Sequence, residues 1–127
     1  MEATTTTTLD AGARLLAAIG AQDFAVMESC FAPAARLRAL VPSALREEEG
    51  SAAIAALFRF WWEGLDHVEL VESELEPLVD RVRLRYCLRG HDADDGWVTV
   101  EQTGYLQVEE NAISVLNLVC SGFRPAE

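Results

Sequence analysis

The side chains in this sequence able to carry chemistry are few and scattered. Two histidines each adjoin aspartate, as Asp66-His67 and as His91-Asp92-Ala93-Asp94-Asp95. Asp66-His67 has the makings of an acid–base pair, although a solvated exit from the preceding helix is the plainer reading. The His91 run suggests a metal, yet its one imidazole has only short-range aspartates and no second histidine nearby. No metal and no cofactor is expected. The cysteines Cys30, Cys87 and Cys120 are odd in number, far apart and in no CxxC spacing, so they read as reduced cytosolic thiols. Cys120 is a nucleophile only if a cation stabilises its thiolate; with no inward His, Lys or Arg it reads as a small hydrophobe.

More informative are Tyr86 and Gln102, which period two places among apolar residues. Val82, Leu84, Tyr86 and Leu88 share one strand face, opposite Arg81, Arg83, Arg85, Cys87 and Arg89. On the following strand Val98, Val100, Gln102, Gly104, Leu106 and Val108 alternate with Trp97, Thr99, Glu101, Thr103 and Tyr105. A buried amide left unpaired costs on the order of 1–3 kcal/mol. Tyr86 and Gln102 therefore either satisfy each other or orient a mostly apolar, neutral ligand, as pockets of this composition do. The candidate ligand-binding set is Tyr86, Gln102, Leu15, Phe58, Trp61, Leu84, Leu88, Leu116 and Cys120. The opposite face, with Arg83, Arg85, Arg89, Trp97, Glu101 and Tyr105, reads as a basic-aromatic patch suited to an interface, or as solvated cross-strand ion pairs.

Elements to position these residues are legible in the periodicity. Leu9 opens a helix with Leu15, Leu16 and Ile19 on one stripe and Gly20 at its end. Asp23 caps a short second helix with Phe24, Met27, Cys30 and Phe31 on its apolar side, closed by Pro33. Residues 35–41 alternate as a strand, and 43–50 form a polar connection ending in Glu47-Glu48-Glu49-Gly50. Ser51 is the expected cap of the strongest helix, with Ile54, Leu57, Phe58, Trp61 and Leu65 on its stripe and Gly64 as its stop. Strands follow at 68–79, 81–90, 97–109 and 112–121, and helices segregated from a mostly antiparallel sheet make an α+β fold. On the last strand Leu116, Leu118 and Cys120 are the expected core face, opposite Ile113, Val115 and Val119.

Composition sets outer limits. The 127 residues suffice for one domain, half of them are apolar, and the formal net charge is −11. That charge disfavours nucleic acid, whose phosphates require a basic face, and anionic membrane surfaces. Apolar stretches are broken well before the roughly 20 residues of a membrane span. No basic segment followed by an apolar one opens the chain, which speaks against secretion and for the cytoplasm.

Three segments carry a family resemblance: ARLLAAIGAQDFAVMESCFAPAARL, EEEGSAAIAALFRFWW and GYLQVEENAISVLNL. They resemble the paired N-terminal helices and first strand, the opening of the third helix, and the final hairpin of the nuclear transport factor 2-like superfamily. Within it the ketosteroid isomerase and SnoaL-like polyketide cyclase branches are nearest. The resemblance implies a cone-shaped barrel: a curved, mostly antiparallel sheet wrapped around a long helix, with two N-terminal helices and a pocket at the open end. Residues 9–123 form the single domain, after a flexible polar N-terminus at 1–8. In ketosteroid isomerases a tyrosine and a protonated aspartate form an oxyanion hole and another aspartate is the base. The matching positions are Leu15 for the tyrosine, Gly104 for the oxyanion aspartate and Ala39 for the base, none able to do that work. The resemblance thus implies a pocket binding a small, largely apolar molecule without the isomerase acid and base. The alternatives are a cyclase, isomerase or dehydratase on a carbonyl substrate, with Tyr86 as acid and His67 as base, and a dimeric interaction module. Members often dimerise through the convex sheet face, which implies a homodimer through Arg83, Arg85, Trp97, Glu101 and Tyr105.

Overall fold

The computed structural model describes residues 2–126, with side chains from residue 8 onward. Three helices and seven strands follow in the order α1 (Glu2–Ala21), α2 (Phe24–Ser29), β1 (Phe31–Val41), β2 (Ala44–Glu49), α3 (Ser51–Trp62), β3 (Leu65–Leu78), β4 (Arg81–Asp92), β5 (Gly96–Glu109), β6 (Ala112–Cys120) and β7 (Arg124–Pro125). The strands form one unclosed sheet, β2-β1-β6-β5-β4-β3, with β7 pairing with β5. Every pairing is antiparallel except that of β1 with β6. This is the expected α+β architecture, with β2 and β3 left as open edges. The longest helix is α1, of 20 residues. It lies across β3 to β6, whereas α3, of 12 residues, covers β1 and β2 and packs on α2.

Several boundaries depart from the periodicity reading. Helix α1 starts at Glu2 rather than Leu9, so the threonine run lies in its first turns, and Thr8 is buried. Met1 and the side chains of 2–7 lie outside the described residues. The polar connection at 43–50 is mostly strand: Glu47 and Glu49 stand opposite Arg38 and Arg36. Glutamate disfavours strands in general, but on an edge its charge is tolerated and deters pairing with another chain. Strand β1 starts at Phe31 and carries the exposed Pro33, which lies where its register with β6 is broken and no ladder bond is needed. Asp23 does cap α2, its carboxylate accepting from Val26 N at 3.1 Å. Ser51 does not cap α3; that position belongs to Gly50, whose φ of 98° suits glycine.

One core fills the concave side of the sheet, with Leu15 and Ile19 of α1, Met27 of α2, and Ile54, Phe58 and Trp62 of α3 against Leu37, Leu84, Leu88, Leu106, Ile113 and Leu116. Leu116 and Leu118 face inward as expected, and so does Ile113, assigned by strict alternation to the other face. The pairing skips Ser114, since Gln107 faces Val115 and Val108 faces Ile113. The bulge shifts side-chain parity by one.

Candidate functional site

Tyr86 on β4 and Gln102 on β5 are directly opposed in register, and the row continues to Cys120 on β6. The Tyr86 hydroxyl donates a hydrogen bond to Gln102 Oε1. Both residues are 1% exposed, and burial, reinforced by Cys120, pushes the phenol pKa well above its usual value. Cys120 is half-buried, its sulfur accepting from Gly122 N at 3.4 Å.

Around this row the structure gathers most of the expected lining. Leu15, Phe58, Leu84, Leu88 and Leu116 are all buried in the same cluster. Trp61 is not its aromatic wall. That ring is half-buried and packs edge-on against Phe58 at 5.4 Å, while Trp62 points inward and meets Tyr86 edge-on at 6.2 Å. Spacings of three and four from Phe58 fit either tryptophan, so the helix stripe alone does not choose between them. Trp62 also lines an open depression of about 400 Å3 whose rim includes Gly20, Phe24, Leu65, His67 and Val68. Trp62 thus connects the buried row to the surface. Two side-chain nitrogens in this cluster, Gln102 Nε2 and Trp62 Nε1, are buried without a hydrogen-bond partner among the described residues.

The other candidates fall elsewhere. Asp66 lies 4.0 Å from the His91 imidazole, and the two are opposed in register. His67 is exposed, in a left-handed conformation (φ 52°), with its ring 6.4 Å from that of Trp97. Asp66-His67 is therefore no built acid–base pair. In the His91 loop, Asp92 accepts from Asp94 N at 2.8 Å and Asp95 N at 3.0 Å, contacts that lower its pKa. The run is a side-chain-capped turn. Among the described residues no three His, Cys, Asp or Glu side chains gather where they could hold a metal ion.

Leu15, Ala39 and Gly104, the positions that the resemblance matches to the isomerase tyrosine, base and oxyanion aspartate, are all buried. A Cβ on Gly104 would come within 3.1 Å of Asn117 O and of Leu118 Cβ, a tighter fit than most side chains make, so β5 and β6 approach closely there.

On the convex face the three arginines do not form a free basic patch. Arg83 pairs with Glu76 at 3.0 Å, Arg85 with Glu101 at 2.6 Å and with Glu72 and Glu74 at 3.4 Å, and Arg89 with Glu69 at 3.3 Å while stacking 4.0 Å over Trp97. The Glu101 contact comes first in holding the Arg85 pKa above its usual value. The acidic residues of β3 supply most of these partners, a complement visible only once β3 is aligned with β4. Farther across the same face Leu45, Leu40 and Val119 stand side by side in register, 48%, 53% and 57% exposed. Sequence reasoning missed this row because Leu45 lay in an unrecognised strand.

No family model and no curated protein matches the chain. Solved structures do. A Bacillus subtilis protein provisionally named an isomerase superposes with a TM-score of 0.76 at 13% identity, over 93% of this chain and 88% of its own. A Catenulispora acidiphila protein with a ketosteroid isomerase-like fold, solved with trimethylamine, gives 0.74 at 14%, over 91% and 88%. A Jannaschia protein provisionally named a SnoaL-like polyketide cyclase gives 0.70 at 19%, over 91% and 86%. At such identities the likeness speaks for the fold: this chain has the nuclear transport factor 2-like, ketosteroid isomerase-like α+β fold.

Proposed function

We propose that this protein binds a small, largely apolar, neutral molecule at the concave centre of its sheet, against Tyr86, Gln102 and the surrounding leucines. The observation that carries this reading is a hydrogen-bonded polar row at the heart of an apolar core, joined to an open surface depression through one side chain, Trp62. Because the row is buried, a ligand enters as the Trp62 ring swings toward that depression. Solved neighbours with this fold include one holding a small amine and others named for isomerase, cyclase and epoxide hydrolase chemistry. Here the reading is binding rather than turnover: Leu15, Ala39 and Gly104 provide no acid or base, and the Tyr86 proton is engaged by Gln102. Three free thiols suit a reducing cytoplasm.

The test is a titration with N-phenyl-1-naphthylamine, a neutral apolar fluorophore. Saturable binding at one site per chain is expected, weakened by about tenfold (~1.4 kcal/mol) in Ala21→Trp, which covers the rim from an exposed position. Binding that never saturates, or that ignores Ala21→Trp, overturns the reading.

A second reading concerns assembly. We propose that two copies meet through the convex face, with Leu45, Leu40 and Val119 at the centre and the charged ladder and Tyr105 at the margin. An apolar row within a polar surround is the composition of an interface.

A further inference from the structure

We infer that the ligand presents a neutral hydrogen-bond acceptor, a ketone, ester or ether oxygen, to Gln102 Nε2 and Trp62 Nε1. This rests on the pocket reading above and narrows it to a chemical class. The Tyr86 hydroxyl has one proton and gives it to Gln102 Oε1. That bond fixes the amide so that its nitrogen, with two N–H groups, is the end left over. The Trp62 indole can only donate. Each residue is 1% exposed, and neither nitrogen finds a partner among the described residues. Spare lone pairs are common in protein interiors, whereas orphaned buried N–H groups are rare. The group that settles this site therefore accepts.

It is also uncharged. Among the described residues no charged side chain is buried, so no buried cation stands ready to pair with a carboxylate or phosphate. A carbonyl or ether oxygen on an apolar body meets both conditions.

The experiment uses 15N-labelled protein and matched probes: 1-tetralone, its hydrocarbon tetralin, and 1-naphthoate as the anion. The three indole N–H resonances are sorted with Trp62→Phe. Expected are a downfield shift of the Trp62 indole proton with tetralone, at least tenfold tighter binding of tetralone than tetralin, and no competition from naphthoate. Gln102→Leu should bring tetralone close to the affinity of tetralin. The ketone–hydrocarbon comparison needs no variant, so the result stands even if Gln102→Leu folds poorly. If the naphthylamine binds but tetralone binds no better than tetralin, or naphthoate competes, the acceptor class is overturned while the pocket stands. An unmoved Trp62 indole signal with tetralone overturns it equally. If no probe binds, both fall together.

Discussion

Tyr86 and Gln102 show how one hydrogen bond sets the character of a site. Removing the hydroxyl in Tyr86→Phe leaves Gln102 Oε1 buried without its donor, which should destabilise the protein by about 1–3 kcal/mol, read as a lower urea midpoint at unchanged slope. The same residue predicts a pH dependence. Its folded-state pKa is raised by burial, so the folded protein keeps a proton that the unfolded chain releases above roughly pH 10. The associated stability is intact below that pH and falls as pH rises through the alkaline range. Unfolding titrations at about pH 9 and pH 11 should show wild type losing stability that Tyr86→Phe does not lose. Trp61 and Trp62 add a second lesson: neighbours 100° apart on a helix are both compatible with the apolar stripe, and only the packing of α3 selects Trp62.

At the scale of elements, the strands are set by close approaches and by interruptions. Gly104→Ala would push a methyl toward Asn117 O and Leu118. Overpacking of this kind should cost about 1–3 kcal/mol, measurable by urea unfolding, with the β5–β6 pair loosened first in amide hydrogen exchange. Skipped residues act likewise. Passing over Ser114 brings Ile113 into the core, and a similar slip at Val71 shifts the parity of β3 between Leu70 and Glu72. A period-two reading follows the chain until the first bulge and then reports the wrong face. Strand β2 stayed hidden for another reason, since the alternation of Ala44–Glu49 is polar throughout its second half and only pairing with β1 makes it a strand.

For the molecule as a whole, the two sheet faces divide the work. The concave face holds the Tyr86–Gln102 row proposed above to meet a ligand; the convex face carries the ion-pair ladder and the leucine–valine row. Exposed pairs are worth about 0.2–1 kcal/mol each, so the ladder adds modest stability and keeps a long surface solvated. If the apolar row is the self-association surface, light scattering at tens of micromolar should give twice 13.9 kDa. Leu40→Lys with Val119→Lys should return a monomer while changing monomer stability by no more than about 0.5 kcal/mol per site. A monomeric wild type ends that reading and leaves the proposed pocket untouched.

By itself, the sequence determined the α+β class and the inward placement of Tyr86 between Leu84 and Leu88 and of Gln102 between Val100 and Gly104. These follow from local periodicity and residue chemistry, which need no knowledge of distant neighbours. Tertiary structure alone decided that Tyr86 bonds to Gln102, that Trp62 rather than Trp61 faces them, that two buried N–H groups remain, and that Arg83, Arg85 and Arg89 are matched by glutamates. Each of these is a relation between segments remote in the chain, fixed by register and by the bulges that reset it.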